Sequence, residues 1–384
     1  MIISFAESYG KCLSGPVPRS RLGSTEPSAI RWLSACHLSV ARPMLRMYSK
    51  WELENLEKLA ASVAGSGLTT RVPKAGSKHG ADLSRSEEVR ILRALYRYDT
   101  FCHLFGTNTS ELWLSLFYEY EVNEMFLGLF EPWEVEAIVC IDAFLWQRYD
   151  QIFDEIQDDL HENNPKFYDE DSGSNLSDSR DLSRTDTGNG GMRDCTISRG
   201  LKTAVRILAI DDHDTLAFKT SRVIVGDQCE DPPAKDCLSS LGQIQRRDHS
   251  AKYPNHKDEA EQRRDPMEFT GDTVPPDAPP MAWVLLWDGK YANVYDDFVP
   301  AGLKECGYVM WDARRLDEAG LEEAIFKQWE GATDQIARVE SVCGWNPTGV
   351  PMDPELSRQY AEARRLRREI WPPVRIVSDG ESQK

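Results

Sequence analysis

A dense block of aromatic residues lies in the first half of the chain. Residues 86–161 hold 15 of the 37 Trp, Phe and Tyr side chains of the 384-residue sequence. Most of them recur every three or four residues, the spacing that places side chains on one face of an α-helix. Such a block predicts a packed helical core and carries no catalytic signature of its own.

Helix boundary signals divide this block into three predicted helices. The pattern Ser84-x-x-Glu87 is a capping box that begins a helix over 84–106, with Gly106 as its end. Ser110 can cap a second helix over 110–129, and Pro132 suits the first turn of a third over 132–160. Short connections between them predict antiparallel neighbours that share an aromatic core.

Two stretches elsewhere have too few apolar residues to form a core. Asp, Glu, Ser and Gly make up 16 of the 26 residues at 169–194, and the 54 residues at 227–280 hold eight prolines and 19 charges. Such compositions cannot bury enough surface to offset the entropy of the chain, so both are predicted to be disordered. We therefore predict a mainly α fold, a discontinuous helical domain with two disordered insertions.

This fold class predicts seven segments along the chain. They are a basic leader at 1–50, disordered or targeting; an aromatic-rich helical part at 51–165; a disordered acidic Ser/Gly linker at 166–197; a short ordered segment at 198–226; a disordered Pro-rich, charged insertion at 227–280; a Trp-rich helical part at 281–345 that completes the core; and a charged C-terminal helix and tail at 346–384.

Charge and cysteine usage limit the environment of the protein. The net charge is −18, and residues 1–50 carry seven basic against two acidic side chains, which leaves −23 for the rest. An acidic body repels phosphate backbones, so nucleic-acid binding is not expected. The longest apolar runs have seven residues, too few to span a bilayer. Nine cysteines without a C-x-x-C pair predict reduced thiols and a cytoplasmic or nuclear protein.

The basic N-terminal segment leaves a mitochondrial alternative open. It is rich in Arg and Ser and nearly free of acid, which is typical of a mitochondrial presequence. Arg46-Met47-Tyr48-Ser49 resembles a matrix-protease site that is cut after the tyrosine. Against this interpretation, Pro43 is expected to interrupt the amphipathic helix that a presequence needs.

Asp142 is the one candidate catalytic residue. It lies on the apolar stripe of the third predicted helix, three residues after Val139 and three before Leu145. A carboxylate there must be paired or protonated, because an unpaired buried charge costs several kcal/mol. Asp142 is either a general acid or base with a raised pKa, or the partner of an arginine on the first helix. The arginines available for that pair are Arg90, Arg93 and Arg97.

A cluster of potential metal ligands follows the apolar run that ends at Ile210. Its members are Asp211, Asp212, His213 and Asp214. Consecutive residues cannot all point at one ion, and no second ligand group follows at a recognisable spacing. Acids at such a junction more often cap the next helix, so capping is the competing interpretation.

The chain also lacks the familiar catalytic and nucleotide-binding motifs. It contains no G-x-S-x-G, G-x-G-x-x-G, G-x-x-x-x-G-K-[ST] or H-E-x-x-H pattern. The sequence thus favours a protein that is not an enzyme, and no cofactor is predicted.

Three sequence pieces resemble a group of filamentous-ascomycete proteins that has no established activity. They are Arg93-Ala94-Leu95-Tyr96-Arg97-Tyr98 with Leu104-Phe105, Phe130-Glu131-Pro132-Trp133-Glu134-Val135-Glu136, and Gly307-Tyr308-Val309-Met310-Trp311-Asp312 with Arg315-Leu316. The resemblance spans roughly residues 84–330 and implies a fungal protein. Some members carry an F-box-like region, but residues 1–83 show no Leu- and Pro-rich helical triplet of that kind.

The functional expectation is an intracellular, non-catalytic protein-interaction or scaffold module whose partner is another protein. The alternatives are an enzyme that uses a buried acidic residue in an aromatic pocket, and a mitochondrial protein whose leader is cleaved.

Overall fold

The computed structural model describes residues 27–64, 82–106, 122, 126–159, 193–223, 278–287, 289, 299–322, 324, 325 and 327–329. They all belong to one compact unit, Met1–Ala332; the second unit, Thr333–Lys384, contains none of them. The described residues form helices and turns and contain no strand. The predicted mainly α fold is confirmed for this part of the chain.

The first described segment is a nearly continuous helix with one wide turn. Helix α1 covers Pro27–Cys36, a π-helical turn covers His37–Ala41, and helix α2 covers Arg42–Ala64. Pro43 has no N–H to donate to a carbonyl one turn earlier, and a wide turn just before it accommodates that missing bond. The expected interruption at Pro43 is therefore a π-turn and not a break.

The predicted leader at 1–50 has to be corrected for its second half. Residues 27–50 are helical, and Met44 and Tyr48 of α2 are wholly buried in the core. Two further buried residues, Val40 and Ala41, precede them in the π-turn. The periodic apolar positions of this segment pack on the rest of the protein, so the helical part begins at Pro27 and not near residue 51.

Helix α3, Arg85–Phe105, begins and ends where its sequence signals indicate. The Glu87 amide donates to Ser84 Oγ at 3.1 Å, and the Ser84 amide donates to Glu87 Oε2 at 2.9 Å, which completes the capping box. The helix stops at Gly106, whose amide still donates to the Cys102 carbonyl.

Helix α4, Pro132–Ile156, is the central element of the core. It has Pro at its first turn as predicted and ends four residues before the expected 160. It packs along α3, and nearly every residue from Trp133 to Leu145 is buried, on more than one face. The predicted second helix at 110–129 lies mostly outside the described residues; within it, Leu127–Leu129 form a 3₁₀ turn.

Short helices follow in the middle of the chain. Residues 193–197 are helical, and helices α5, Leu201–Leu208, and α6, His213–Ser221, come after them. Cys195 is buried and disulfide-bonded. These findings correct the disordered linker at its end, 193–197, and the prediction of reduced thiols at Cys195. Cys36, Cys102, Cys140 and Cys306 carry free thiols.

The Trp-rich part contributes helices α7, Met281–Leu286, α8, Ala301–Glu305, and α9, Ala313–Ala319. Trp283 of α7 meets Trp133 of α4 at an angle of 60°, with 6.3 Å between the ring centroids. Helix α8 contacts both α2 and α4. Residues 281–329 therefore pack on the same core as the aromatic block wherever they are described.

The remaining predicted segments lie largely outside the described residues. They are residues 1–26, most of the two insertions at 166–197 and 227–280, and the C-terminal segment at 346–384. Within the described ranges, no helix combines the length and the apolar character that crossing a membrane requires.

Candidate functional site

Asp142, the predicted catalytic candidate, lies half-buried between α4 and α3. Its Oδ1 accepts a hydrogen bond of 3.0 Å from the hydroxyl of Tyr98, which is itself buried. Burial, with Cys102 and Asp142 nearby, raises the pKa of Tyr98 well above its usual range, so Tyr98 stays a neutral donor. Tyr98 and Asp142 therefore form a hydrogen bond between a neutral hydroxyl donor and an acceptor where α3 and α4 are in contact.

The three arginines expected near Asp142 bind other carboxylates. Arg90 Nη1 lies 2.9 Å from Asp312 Oδ1. Arg93 and Arg97 both reach Glu134 Oε1, at 3.3 Å and 2.8 Å. An ion pair between Asp142 and this arginine stripe stays a prediction, since none of these contacts tests it.

The acidic cluster after Ile210 forms the start of a helix. Asp212 is the N-cap of α6, and its Oδ2 accepts the Thr215 amide at 2.9 Å. The hydrogen bonds from Thr215 lower the pKa of the Asp212 carboxyl. Asp211 and Asp214 are exposed. The capping interpretation therefore accounts for Asp212.

His213 faces two carboxylates of helix α4 and its following turn. Its Nδ1 lies 3.0 Å from Glu155 Oε1, and its Nε2 lies 2.6 Å from Asp159 Oδ2. These hydrogen bonds raise the pKa of the His213 imidazole above its usual value. Because the two ring nitrogens point in different directions, the two carboxylates cannot share one ion with the ring. In the described ranges no group of three or more His, Cys, Asp or Glu side chains could hold a metal ion.

Two buried acids that the sequence analysis did not single out lie in the core. Glu52 of α2 and Glu136 of α4 are both fully buried. Around them lie Tyr48, Cys140 and residues of the turn after α8, among them Tyr308. Burial raises the pKa of the Glu52 carboxyl well above its usual range. The helical spacing could have predicted the burial of Glu52, because it continues the four-residue spacing of Met44 and Tyr48.

The most exposed apolar residues of the described chain belong to α1 and the π-turn. Ile30 is 52% exposed, Trp32 68%, Leu33 53% and Leu38 69%. No residue of α1 is buried. The element projects from the body and is a candidate contact surface, because soluble proteins rarely leave several large apolar side chains in water together.

This projecting element is joined to the body beside helix α3. His37 Nδ1 lies 2.6 Å from the hydroxyl of Tyr96, and the two rings stack with centroids 6.3 Å apart. Tyr96 also lines a groove of about 430 Å³ that follows α3. The other residues that line this groove are Arg85, Val89, Leu92, Arg93, Arg97 and Thr100. The projecting helix and the groove thus meet at Tyr96.

No protein-family model, curated protein or solved structure shows significant similarity to the chain. The class of protein is therefore defined by its own fold, a helical protein with a projecting apolar helix. The resemblance to a filamentous-ascomycete group stays a prediction.

Proposed function

We propose that the chain is a non-catalytic protein-interaction module that docks another protein through α1 and Leu38. The observation that carries the proposal is the exposure of Ile30, Trp32, Leu33 and Leu38, each more than half accessible to water. Burying apolar surface contributes roughly 25 cal/mol per Å², so a set of this size provides a substantial driving force for association.

The arrangement of α1 suits insertion into a groove. At about 100° per residue, Ile30, Leu33 and Trp32 lie within an arc of about 160°, and Ser28, Arg31 and Ser34 lie on the other side. A wide apolar arc with one polar strip is the pattern of a helix that a partner encloses on most of its circumference. A membrane-surface helix would instead be expected to carry several Lys or Arg on its polar side, and α1 has Arg31 alone.

The following residues fix the direction in which α1 projects. Val40 and Ala41 of the π-turn are buried, and His37 contacts Tyr96 of α3. Because the chain enters the core directly after Leu38, α1 is presented from a rigid base. Preorganisation of this kind lowers the entropy lost on binding.

Charge defines the expected rim of the partner. Residues 27–51 contain Arg31, Arg42, Arg46 and Lys50 and no Asp or Glu, whereas the whole protein has a net charge of −18. A basic element on an acidic protein favours an acidic partner surface and disfavours like-charged ones. We therefore propose a partner with an apolar groove and an acidic rim.

The test compares partners recovered with and without the apolar side chains of α1. Full-length protein, the Trp32→Ala/Leu33→Ala variant and the control Phe218→Ala are each affinity-purified from the source cells and analysed by quantitative mass spectrometry. Phe218 is 46% exposed on α6, so the control removes a comparable ring from another element. We expect the double variant to lose at least one partner that the other two retain, with unchanged circular dichroism. Equal recovery by all three proteins, or no reproducible partner, contradicts the proposal.

We also propose that the protein acts in the cytoplasm or nucleus. What supports this location over the mitochondrial alternative is the position of the predicted cleavage site. A cut after Tyr48 removes Met44, Leu45 and Tyr48, all of which pack in the core. Removal of three core side chains is incompatible with a stable mature protein of this fold.

The enzyme alternative would rest on Asp142. Asp142 accepts a hydrogen bond from the hydroxyl of Tyr98, a contact that is as consistent with helix packing as with catalysis. No specific observation favours this alternative, so it is not proposed.

A further inference from the structure

Glu52 is an acidic side chain in an almost entirely apolar part of the core. It is 0% exposed, and neither carboxyl oxygen accepts a hydrogen bond of acceptable geometry. Buried carboxyl groups normally have partners, because an unpaired charge in the core costs several kcal/mol. The only polar side chain that influences the Glu52 carboxyl among the described residues is the hydroxyl of Tyr48, one helical turn earlier on α2.

The carboxyl group of Glu52 lies directly against the turn that follows α8. A Cβ atom added to Gly307 would overlap Glu52 Oε2, so the carboxyl occupies the space that any other residue would need at position 307. One turn along α2, Asn55 Nδ2 donates to the Glu305 carbonyl at 2.9 Å. The turn therefore rests on α2 through one hydrogen bond and one bare carboxyl group.

We call residues 303–311 the latch segment. Its main-chain bonds close on themselves: the amides of Tyr308, Gly307 and Met310 donate to carbonyls within 303–307. The Trp311 indole also donates to the Cys306 carbonyl, at 2.7 Å. These internal bonds survive if the segment leaves α2 as a unit, whereas opening breaks the bonds that Asn55 donates to the Glu305 carbonyl and Arg90 donates to the Trp311 carbonyl at 3.2 Å.

The titratable groups that face Glu52 offer no positive charge among the described residues. They are Tyr48 on its own helix, Cys140 on α4 and Cys306 in the latch segment. Beyond them lie Glu136 and Tyr308, with Lys304 near Cys140 and Glu305 near Cys306. Burial raises the pKa of Glu52, and only the neighbouring Tyr48 hydroxyl lowers it. A protonated, neutral carboxyl is the form that this pocket accepts.

We propose that Glu52 is a proton-dependent latch, which holds segment 303–311 on helix α2 while its carboxyl carries a proton and releases the segment when the proton is lost to solvent. The released state lets water reach the carboxylate and exposes Tyr308, Met310 and Trp311, all wholly buried when the latch is closed. In this proposal, the position of residues 303–311 relative to α2 depends on pH.

The direction of the pH dependence follows from linkage. When Glu52 is exposed to water, its pKa has the usual carboxyl value of 4.5. In the closed form burial raises this pKa, so the carboxyl keeps its proton to a higher pH. Above 4.5 the open form binds fewer protons than the closed form, so rising pH favours opening. Opening therefore increases with pH until the closed form loses its proton as well.

Hydrogen exchange on the full chain tests the latch. Protection factors, corrected for the intrinsic pH dependence of exchange, are measured between pH 5.5 and 9 for peptides from 303–311 and from 135–145 of α4. We expect the wild-type protection of 303–311 to fall by up to about tenfold per pH unit, while that of 135–145 stays constant. Glu52→Gln should abolish this dependence. Glu54→Gln, at a position 53% exposed on the same helix, should keep it.

Three outcomes overturn the proposal. One is an equal pH dependence in Glu52→Gln and the wild type. Another is a parallel loss of protection in 303–311 and 135–145, which would make Glu52 a determinant of global stability only. The third is a Glu52→Gln protein that does not fold, since a neutral isostere must be tolerated if the neutral acid is the resident form.

Discussion

At the scale of single residues, burial alone does not determine what an acidic side chain does. Glu87 is 1% exposed and lies 2.6 Å from Arg315 Nη2, whereas the equally buried Glu52 lies against Tyr48 and Gly307 and has no ion-pair partner among the described residues. The first carboxyl group is paired with a guanidinium, whereas burial raises the pKa of the second well above its usual range. The helical spacing that drew attention to Asp142 applies equally to Glu52 and could have identified its burial. Its missing partner could not be identified, because partners come from distant parts of the chain.

The contact between Glu52 and Gly307 leads to a prediction at this scale. Gly307→Ala places a Cβ on the Glu52 carboxyl at a backbone φ of +57°. We expect a loss of about 2–4 kcal/mol in the free energy of unfolding, from overpacking and a left-handed backbone together. Adding Glu52→Ala should recover at least about 1 kcal/mol, because the new methyl group then has space.

Urea denaturation followed by tryptophan fluorescence measures these free energies. Gly320→Ala is the matched control: its φ is +62°, but nothing lies within 4 Å of the added Cβ. Its free energy of unfolding should therefore fall only by the cost of the backbone strain, about 1 kcal/mol. Equal losses for Gly307→Ala and Gly320→Ala would contradict the close contact.

At the scale of elements, the start of α3 is joined to the start of α9 by a polar network. Asp312 Oδ2 accepts from Ser86 Oγ at 2.6 Å and also from Ser84, and Asp312 Oδ1 accepts from Arg90. Ser84 and Glu87 were predicted from sequence as a helix cap, and that role is confirmed. Their second role, as anchors for a segment more than 220 residues away, is not written in the local pattern.

This network leads to a prediction about two adjacent arginines. Arg315→Ala leaves the Glu87 carboxylate buried without its guanidinium partner, and we expect a loss of about 3–5 kcal/mol of stability. Arg314→Ala removes an arginine that is 85% exposed and paired with Glu318 at the surface, so we expect no measurable change in stability. The Glu87→Gln/Arg315→Met variant should lose less than Arg315→Ala, because no buried charge remains.

Thermal unfolding followed by circular dichroism compares these variants. A small loss for Arg315→Ala, similar to that of Arg314→Ala, would show that water reaches the Glu87 carboxylate and that the two elements are joined by other contacts.

At the scale of the whole molecule, segments far apart in sequence build one core. Helix α2 contributes Tyr48, α4 contributes Phe144, and the Trp-rich part contributes Trp311, all within a few per cent of complete burial. The rings of Tyr48 and Phe144 meet edge to face, 5.4 Å apart. The N-terminal segment, whose composition is typical of a presequence, is at the same time a structural part of this core from residue 40 onward.

A truncation tests this architecture. A chain that begins at Ser49 lacks Met44, Leu45 and Tyr48, and the loss of such large core side chains costs several kcal/mol each. We expect this chain to unfold without a cooperative transition, whereas a chain that begins at Pro27 keeps one. Differential scanning calorimetry distinguishes the two. A cooperative transition for the chain from Ser49 would support a leader that is removed after Tyr48.

The sequence by itself determined the mainly helical fold, the cap at Ser84, the first turn at Pro132 and, as one of two interpretations, a helix cap within the acidic cluster at 211–214. Each of these depends on side-chain spacing or on hydrogen bonds within about one helical turn, so local order in the chain is enough to predict them. Only the tertiary structure decided that Glu52 lies bare against Gly307, that Arg90 reaches Asp312, and that α1 projects while α2 enters the core. Those outcomes depend on which distant segments meet, and the spacing of residues along one helix does not specify what packs against it.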